Sequence, residues 1–302
     1  MGTTQEITVW TIVKILDWTR QYFADKGVEN PRLDAEILLC AVLNCPRIDL
    51  YVHFDRPLSP EELKSYKALV VRRANHEPIA YILGEKAFLD FTFKVTPAVL
   101  IPRPETELLV ERLVLLNKKR PKVSFLDIGT GSGAISISLL KLLPTAVAVA
   151  VDLSQEALVV AEENAINLGV KASWQGVHSN LFQQLAPTSK FSFIVSNPPY
   201  IKHNEIALLA NDVQKEPHMA LDGGSGGLDF YEKIISEAQH YLEEDGLLAF
   251  EIGIYQAEAV SDLCKQAGFS KIVICKDYAG IERNIFAAKE GSDYGNALME
   301  IE

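Results

Sequence analysis

The sequence predicts an α/β protein in which a small all-helical region precedes a larger domain built on a mostly parallel β-sheet. Beyond Pro121, short apolar runs alternate with longer segments of helical periodicity, which is typical of a parallel sheet covered by helices on both faces. Before about residue 80, the apolar residues recur at helical spacing. With 302 residues, the chain has room for a main domain and a smaller one.

The N-terminal region, residues 1–80, is predicted to be a helical domain. Apolar residues share a helical face in two successive segments: Ile12, Ile15 and Leu16, then Leu33, Ile37, Leu38, Ala41 and Val42. Another helix is expected from Pro60 to about Ala74, because Ser59 is a good N-cap and proline suits the first helical position. No cluster of titratable residues here suggests chemistry, so we expect this domain to bind or position a partner.

Residues 81–104 are predicted to form a β-hairpin linker, since phenylalanines at positions 88, 91 and 93 stand in a stretch rich in β-forming residues. The segment Leu100–Glu107 overlaps the end of this linker. Two prolines bracket Arg103 and keep the backbone extended before a helix that is expected from about Glu105 to Asn117.

Residues 105–302 are predicted to form one domain of alternating strands and helices. The expected strands are Val123–Ile128, Ala146–Val151, Lys171–Val177, Phe191–Ser196, Gly246–Ile252, Lys271–Cys275 and Arg283–Ala288. The main helices are expected at Ala134–Leu143, Ser154–Leu168, Phe230–Leu242 and Gln256–Ala267. Apolar strands separated by helices imply a sheet that is mostly parallel and buried on both faces.

The net charge of −11 is unevenly distributed along the chain. Up to Lys86 there are 11 basic and 12 acidic residues, whereas the remainder has 18 basic and 28 acidic residues. An acidic main domain does not suit general affinity for duplex DNA, which depends on Lys and Arg neutralising phosphates. We therefore expect no direct nucleic-acid partner.

Composition also bears on the compartment and on metals. No apolar run approaches the roughly 20 residues that span a bilayer, so no membrane association is expected. The four cysteines lack the paired spacing of metal sites, and we expect them to be reduced in a cytoplasmic protein without a metal. The six histidines are spread along the chain and are not expected to form a site.

A glycine-rich loop between the first strand of the main domain and the following helix is the best candidate for a cofactor site. It reads Asp127-Ile128-Gly129-Thr130-Gly131-Ser132-Gly133. Glycines at such positions let the backbone turn tightly and approach a ligand closely. Gly129, Gly131 and Ala134 also satisfy the dinucleotide fingerprint, so the loop alone does not decide between cofactors.

The surroundings of the loop favour S-adenosylmethionine over a dinucleotide. Asp127 can reach a methionyl ammonium but would repel a pyrophosphate, and Gly133 completes the Gly-x-Gly-x-Gly form common to methyltransferases. Asp152, which ends the second strand, would bind ribose hydroxyls, the alternative being a helix cap before Ser154. The segment after the third strand should flank the adenine. The predicted cofactor-binding residues are Asp127, Gly129, Thr130, Gly131, Ser132, Gly133, Asp152, Asn180, Leu181 and Asn197.

The strand Phe191–Ser196 is followed by Asn197-Pro198-Pro199-Tyr200, which is the candidate acceptor site. Prolines end the strand, and their fixed φ lets their carbonyls point rigidly at a ligand. If the Asn197 side-chain oxygen and the Pro198 carbonyl each accept one N–H of a planar amide or amine, the nitrogen lone pair faces the methyl donor. These two bonds strengthen as positive charge develops on the nitrogen.

This pattern predicts methyl transfer to a planar nitrogen, with the Tyr200 ring stacking on the planar group. The predicted catalytic residues are Asn197, Pro198 and Tyr200. Acceptor binding is assigned to the whole tetrapeptide, Asn197, Pro198, Pro199 and Tyr200.

The sequence resembles the release factor glutamine methyltransferases, the PrmC/HemK family, from about Asp34 to Ala288. The motifs that carry the resemblance are Leu100–Glu107, Asp127–Gly133, Ser196–Ile201, Glu216-Pro217, Ala220–Gly224, Glu251–Gly253 and Asp277–Arg283. The first of these is the most specific, because other amine methyltransferases share only the glycine loop and the Asn-Pro-Pro-Tyr.

The resemblance implies a helical N-terminal domain joined by a hairpin to a seven-stranded, Rossmann-like methyltransferase domain. It further implies that S-adenosylmethionine is the cofactor. The acceptor it implies is the glutamine of the Gly-Gly-Gln motif in peptide chain release factors, which would then be the protein partners.

Two positions depart from the family pattern: Asn180 stands where an Asp is expected before the adenine-flanking residue, and Gly226 stands where members often have Asp. The first bears on the adenine contact, and the second on a loop without an assigned role. Three alternatives share parts of the pattern. They are a glutamine methyltransferase of a ribosomal protein, an N6-adenine methyltransferase of nucleic acid that uses the same tetrapeptide on a flipped base, and a non-catalytic binding module.

Overall fold

The computed structural model describes residues 9–301; residues 1–8, where the predicted helical domain begins, and residue 302 lie outside the described residues. Within that range the chain divides into two compact units. One unit combines residues 9–84 with residues 211–215, and the other combines residues 85–210 with 216–301. Among residues 9–301, no helix has the length and apolar character that crossing a bilayer requires.

The first unit is helical, as predicted. Its helices are α1 (Ile12–Asp25), α2 (Pro31–Leu43), α3 (Arg47–Val52), α4 (Pro60–Ala74) and α5 (Ile79–Leu83). The start of α4 is fixed by a capping box, in which Ser59 Oγ accepts the Glu62 N–H at 3.1 Å and the Glu62 carboxylate accepts the Ser59 N–H at 2.8 Å. The unit closes over its own core, which includes Phe23, Leu38 and Tyr66.

A buried ion-pair cluster joins the short segment 211–215 to this unit. Arg73, which is 5% exposed, donates to Asp34 Oδ2 at 2.6 Å and to Asp212 Oδ2 at 3.2 Å. These three residues hold the segment to α2 and α4. Separating the segment from Arg73 would break part of a buried ion pair, which is costly because it leaves a charge uncompensated.

The second unit contains the main sheet. It begins with the hairpin β1 (Glu85–Phe88) and β2 (Phe91–Lys94). The strands that follow are β3 (Val123–Ile128), β4 (Ala146–Asp152), β5 (Trp174–His178), β6 (Phe191–Ser196), β7 (Leu242–Glu251), β8 (Lys271–Lys276) and β9 (Glu282–Ala288). The helices are α6 (Pro104–Asn117), α7 (Ala134–Leu142), α8 (Gln155–Asn167), α9 (Asp229–Tyr241), α10 (Ala257–Gln266) and α11 (Asp293–Ala297).

Within the described residues, strands β3 to β9 form a seven-stranded sheet in the order β5-β4-β3-β6-β7-β9-β8. The pairs from β5 to β7 are parallel, and β9 is antiparallel to both β7 and β8. The predicted α/β class with a mostly parallel sheet is therefore confirmed. The strand order reverses between β3 and β6, so a crevice is expected at their carboxyl ends, where ligands bind in open α/β sheets.

Alternation along each central strand supplies a core on both faces of the sheet. Phe125 of β3 and Phe193 of β6 stack on one face, with ring centroids 4.8 Å apart. Leu126 and Ile194, the next residues along, pack on the other face. These strands are buried at nearly every position, which explains why they read as continuous apolar runs in the sequence.

The hairpin packs against the main unit through polar contacts. The Lys94 N–H donates to Asn164 Oδ1 at 2.7 Å, and Asn164 Nδ2 donates back to the Lys94 carbonyl at 3.0 Å. The Leu89 N–H donates to the Glu107 carboxylate at 2.9 Å. Buried Asn164 of α8 and Glu107 of α6 thus fix both ends of the hairpin.

Two strand starts differ from the prediction by more than one residue. β7 starts at Leu242, four residues before the expected Gly246, because Leu242 pairs with Phe191 across a register shift. The intervening Glu243, Glu244 and Asp245 are exposed, so this part of the strand carries no apolar signal. β5 starts at Trp174, since Lys171–Ser173 form a short 3₁₀ turn instead.

Candidate functional site

A cavity of about 520 Å³ opens at the carboxyl ends of β3, β4 and β6. Its size suits a small-molecule ligand. The predicted site residues that line it are Gly129, Gly131, Asp152, Asn180, Leu181, Asn197, Pro198 and Pro199. The predicted residues that do not line it are Asp127, Thr130, Ser132, Gly133 and Tyr200. The structure therefore brings together residues from four separate segments of the sequence.

The glycine loop connects β3 to α7 in a conformation that other residues rarely adopt. Gly131 has φ +56° and its N–H donates to Asp152 Oδ2 at 2.8 Å, so the loop is tied to the end of β4. Gly133 has φ +81°, and a Cβ there would lie 2.5 Å from Ile137 Cδ1. Both positions therefore favour glycine for conformation, and Gly133 also for space.

Asp127 lies beneath the loop, fully buried. Its Oδ2 accepts the Thr130 hydroxyl at 2.6 Å and the Ser136 N–H at 3.3 Å. Its Oδ1 is buried without a hydrogen-bond partner among residues 9–301. Burial raises the pKa of Asp127 to about 6. A cationic donor such as an ammonium would satisfy the Oδ1 atom and favour the charged carboxylate, which fits the predicted methionyl ammonium.

The Thr130 side chain and the Ser132 backbone hold the loop itself in place. The Thr130 hydroxyl donates to Asp127, and the Ser132 carbonyl accepts Asn164 Nδ2 at 2.9 Å. Ser132 is 3% exposed. These contacts hold the loop in place, and direct binding of the cofactor by the two residues stays a prediction.

Asp152 is not the cap of α8. The cap is Ser154, whose Oγ accepts the Ala157 N–H at 3.1 Å. Asp152 instead accepts the Ser154 N–H at 2.9 Å on Oδ1 and the Gly131 N–H on Oδ2. Burial raises the pKa of Asp152. Each carboxylate oxygen keeps a further lone pair, so this cavity-lining residue can accept ribose hydroxyls.

The turn after β5 places Asn180 and Leu181 at the cavity. Leu181 adopts φ +52°, a conformation uncommon for a residue other than glycine. Ser179 supports this turn, since its hydroxyl donates to the Leu181 carbonyl at 2.8 Å and accepts the Gln184 N–H at 3.1 Å. Phe182 anchors it by stacking on Tyr241, with centroids 4.7 Å apart. An apolar Leu181 side chain and the exposed Asn180 are thereby held at the site.

The acceptor motif follows β6 directly. Ser196, the last residue of the strand, donates its hydroxyl to the Ile128 carbonyl at 2.7 Å and so ties β6 to β3. Asn197 Nδ2 donates to Thr106 Oγ1 at 3.2 Å. Asn197 Oδ1 and the Pro198 carbonyl make no hydrogen bond within the described part of the chain, and both residues line the cavity. Two hydrogen-bond acceptors on adjacent residues are therefore unengaged, that is, without a donor among the described residues, and these are the two that the sequence predicted.

Neighbouring segments brace this turn. The Ile201 N–H donates to the Leu221 carbonyl at 3.0 Å, and the Gly223 N–H donates to the Ile201 carbonyl at 2.8 Å. Gln256 Nε2 donates to the Tyr200 carbonyl at 3.0 Å. A Cβ on Gly223 would lie 2.7 Å from Tyr200 Cα, so the two backbones are in direct contact.

Tyr200 is partly buried and lies outside the cavity lining, whereas the sequence predicted that its ring contacts the acceptor. Its hydroxyl donates to Glu251 Oε1 at 3.4 Å, and burial raises the pKa of this phenol. Because Tyr200 does not line the cavity, the stacking of its ring on an acceptor stays a prediction.

Two acidic residues near the site were quoted in the sequence only as parts of family motifs. Glu251 ends β7, is 2% exposed, and accepts the Thr106 hydroxyl at 2.5 Å. Glu216 accepts the Ile101 N–H at 3.0 Å and pairs with Arg103. An acidic residue directly after the apolar run of β7 was the available signal for the first, whereas nothing local marks the second.

Two of the six histidines, which are spread along the sequence, lie near each other in the structure, and the expectation that the histidines form no site stays a prediction. His203 Nδ1 lies 2.7 Å from Asp222 Oδ2, and His218 Nδ1 lies 3.8 Å from the same oxygen. The hydrogen bond from His203 lowers the pKa of Asp222. The 3₁₀ turns around residues 203 and 218 bring these side chains together, which no spacing in the sequence indicates.

Comparison with known families defines the class of protein. Residues 104–259 match the family described as the methyltransferase small domain, and residues 14–84 match the PrmC N-terminal domain. With the seven-stranded sheet, the chain is an S-adenosylmethionine-dependent methyltransferase.

Relatives identify the family within that class. A release factor glutamine methyltransferase of Geobacter sulfurreducens is 46% identical, over 93% of this chain and 97% of the relative. Proteins of the same name from Rhodopirellula baltica and Vibrio cholerae are 38% and 41% identical, over 94% and 90% of this chain and 98% and 95% of the relatives. The chain belongs to the release factor glutamine methyltransferase family.

Solved structures with a similar fold have a lower sequence identity to this chain than these relatives. The catalytic domain of hMettl16, solved with a hairpin of the MAT2A 3′UTR, has a TM-score of 0.53 at 15% identity and covers 78% of this chain and 84% of that one. The 16S rRNA N2 G1207 methyltransferase of T. thermophilus has a TM-score of 0.50 at 20% identity, over 68% of this chain and 49% of that one. At these identities they establish the fold alone.

Proposed function

We propose that this enzyme transfers a methyl group from S-adenosylmethionine to the side-chain amide nitrogen of the glutamine in the Gly-Gly-Gln motif of peptide chain release factors. The observation that carries the proposal is the pair of unengaged acceptors at the end of β6, Asn197 Oδ1 and the Pro198 carbonyl. Relatives named release factor glutamine methyltransferase, at 35–46% identity over most of both chains, support glutamine as the acceptor.

The two acceptors match the chemistry of a primary amide. An amide nitrogen is a poor nucleophile because its lone pair is delocalised, and it has two N–H groups to donate. If Asn197 Oδ1 and the Pro198 carbonyl take one each, the nitrogen is fixed with its lone pair toward the methyl donor. Both bonds strengthen as positive charge develops on nitrogen, which stabilises the transition state more than the bound substrate.

Three groups would hold the cofactor: Asp127 beneath the glycine loop, and Asp152 and the turn at Asn180 in the cavity lining. Asp127 Oδ1 would accept from the methionyl ammonium, Asp152 from the ribose hydroxyls, and the turn at Asn180 and Leu181 would contact the adenine. When bound, S-adenosylmethionine supplies an electrophilic methyl group on a sulfonium. The protein's contribution is to orient the acceptor next to that group, and orientation of two reactants can supply roughly 7–11 kcal/mol in favourable cases.

Removal of the proton from the methylated nitrogen requires no dedicated side chain. The nitrogen becomes strongly acidic once it carries the methyl group and a positive charge, so water can remove the proton after transfer. No general base among the side chains is needed for this step.

Release factors are proteins, and we infer a second point of recognition on the helical unit. A single glutamine offers little surface for specificity, whereas residues 14–84 match a separate N-terminal family domain. This unit would dock a surface of the release factor away from the Gly-Gly-Gln motif. We place the reaction in the cytoplasm, where release factors act on ribosomes, and expect no direct nucleic-acid partner.

The decisive experiment is an incubation with S-adenosylmethionine labelled in the methyl group and a purified release factor, followed by mass spectrometry. We expect label on the glutamine of the Gly-Gly-Gln motif. A release factor with that glutamine replaced by alanine is the control and should remain unlabelled. A ribosomal protein fraction and an adenine-containing RNA test the two alternative acceptors; label on either of these, with none on the release factor, would contradict the proposal.

A further inference from the structure

A chain of three polar side chains runs from the acceptor motif into the core. Asn197 Nδ2 lies 3.2 Å from Thr106 Oγ1, and Thr106 Oγ1 lies 2.5 Å from Glu251 Oε2. Thr106 is 4% exposed and Glu251 is 2% exposed. A buried carboxylate is costly unless it has partners, so its position directly behind the acceptor motif requires an explanation.

The donors and acceptors in this chain can be assigned in only one way while Glu251 is ionised. A carboxylate only accepts hydrogen bonds, so the single proton of the Thr106 hydroxyl is donated to it. Thr106 can then only accept from Asn197. The amide of Asn197 must therefore present its nitrogen to Thr106 and its oxygen to the cavity.

We propose that Glu251, acting through Thr106, is a positioning residue that fixes the orientation of the Asn197 amide and so keeps its oxygen available to the acceptor nitrogen. This inference rests on the proposed function, because the hydrogen bond that Asn197 Oδ1 would accept comes from the N–H of the glutamine acceptor. A reversed amide would present two N–H donors to a substrate that also donates, and the hydrogen bond to the acceptor would be lost.

Other groups face Glu251 from each element packed around it. Arg283 of β9 and Glu105 of α6 act on it through charge, and the Tyr200 hydroxyl donates to it at 3.4 Å. The Tyr231 hydroxyl of α9 donates to its backbone carbonyl at 2.9 Å. Burial raises the pKa of the Glu251 carboxyl, while Thr106 and Arg283 lower it and Glu105 raises it further. When protonated, this carboxyl can donate, and the assignment above is no longer unique.

Four variants separate positioning from packing. Thr106→Val keeps the shape but removes the hydroxyl, Thr106→Ser keeps the hydroxyl, and Glu251→Gln replaces a pure acceptor by a group that also donates. Ser138→Ala is the matched control, because the Ser138 hydroxyl is also buried in the second unit, has no hydrogen-bond partner among residues 9–301 and does not line the cavity. We expect Thr106→Val to lower kcat on the release factor by roughly 10- to 100-fold, the scale of a misplaced reactant. Binding of S-adenosylhomocysteine should stay unchanged.

The remaining variants should follow the same logic. Thr106→Ser should restore most of the activity, and Ser138→Ala should act like the wild type. The double variant Thr106→Val with Glu251→Gln should lose no more than the worse single variant, since both act through one pathway. Full additivity, or an unchanged kcat in Thr106→Val, would contradict the proposal.

The pH profile of kcat gives a readout that packing alone would not move. In the wild type, kcat should fall on the acid side as Glu251 takes up a proton. In Glu251→Gln and Thr106→Val this acid limb should disappear, and a limb that persists unaltered in both variants counts against the mechanism.

A final readout does not depend on the acceptor. Exchange of the Asn197 side-chain amide protons, followed by NMR in the full-length protein, should be slower in the wild type and Thr106→Ser than in Thr106→Val. Equal exchange rates would overturn the proposed orientation even in an active enzyme. Slow exchange together with no methylation of any release factor would instead contradict the proposed function and leave the orientation supported.

Discussion

Asn197 stands at the junction between the strand that carries it and the cavity that it serves. Its amide nitrogen is engaged by Thr106, which leaves its oxygen next to the Pro198 carbonyl. A single side chain therefore links hydrogen bonds in the core to the acceptor site. Its removal should weaken the positioning of the acceptor and leave cofactor binding nearly normal.

We predict that Asn197→Ala lowers methyl transfer by about 10²–10³-fold, the usual cost of losing one oriented hydrogen bond to a developing charge. Calorimetry should give nearly normal affinity for S-adenosylhomocysteine, because Asn197 chiefly orients the acceptor. Asn204→Ala, at an exposed asparagine, is the matched control and should be neutral. A parallel loss of cofactor affinity and activity would assign Asn197 to the donor side instead.

Asp127 makes a prediction about protons. Burial raises the pKa of Asp127 to about 6, so in the free enzyme this carboxyl is about half protonated near pH 6. A bound ammonium favours the charged form and lowers the pKa. Binding of S-adenosylmethionine near pH 6 should therefore release up to about half a proton per site and should weaken as the pH falls below 6.

Calorimetry at pH 6 in two buffers of different ionisation enthalpy measures this release. The observed heats should differ between buffers for the wild type and should converge for Asp127→Asn. If the wild type gives the same heat in both buffers, Asp127 does not meet the ammonium.

At the residue scale, the sequence predicted chemistry better than contacts. The unengaged acceptors at Asn197 and Pro198 follow from residue type and from the strand before them. The bond from Thr106 to Glu251 joins residues 145 positions apart, and neither residue's surroundings in the sequence name the other. Long-range polar contacts inside a core depend on the packing of whole elements, which local patterns do not encode.

At the scale of elements, the turn after β6 is held in position by a second backbone that lies against it. Gly223 touches Tyr200 and pairs with Ile201, and no side chain fits between the two segments. The acceptor motif thus depends on a loop more than twenty residues further along the chain.

Gly223→Ala should therefore displace the turn that carries Asn197. Its added Cβ would meet Tyr200 Cα at 2.7 Å and the Pro199 carbonyl oxygen at 2.8 Å, and neither backbone atom can rotate away. We expect a fall in kcat of at least about 10-fold, the order that a displaced reactant produces, with nearly normal cofactor affinity.

Gly226→Ala is the control three residues away, where a Cβ meets nothing within 4 Å. It should leave activity unchanged, and Gly226→Asp should be tolerated for the same reason. Loss of activity in the Gly226 variants, or none in Gly223→Ala, would show that this contact does not hold the turn.

Elements were predicted well where burial is continuous and poorly where it is not. β3 and β6 have the predicted bounds, because strands buried on both faces read as apolar runs. β7 begins earlier than predicted, since pairing with β6 extends through three exposed acidic residues. The cluster of His203, His218 and Asp222 was missed because it forms from loops, whose conformation the sequence pattern does not specify.

At the scale of the whole molecule, the proposed division of labour separates recognition from chemistry. The cavity and all predicted site residues belong to the second unit, whereas the helical unit contributes none of them. Binding energy gained by docking a protein substrate at one unit can then position the glutamine at the other.

A chain that begins at Glu85 should test this division. We expect it to bind S-adenosylhomocysteine nearly normally but to methylate an intact release factor at least about 10-fold more slowly, because remote binding energy is lost. We expect activity on a short peptide that contains the Gly-Gly-Gln motif to be low in the full-length protein and to change little on truncation. Thermal unfolding would establish that the truncated chain is folded.

The control for this truncation is Asp212→Ala in the full-length protein. The segment 211–215 loses its partner Arg73 in the truncated chain, and the substitution measures that loss alone. Full-rate methylation of intact release factor by a folded truncated enzyme would show that the helical unit does not dock the substrate.

The membership of residues 211–215 in the helical unit has a consequence for inheritance. Within the described residues, the polypeptide passes between the units at three junctions, 84/85, 210/211 and 215/216. A single genetic crossover at the first junction would combine Arg73 from one parent with position 212 from the other. An exchange of this unit between lineages therefore keeps the Arg73–Asp212 pair only if both stretches of the gene are exchanged together or if both parents already carry Asp at position 212.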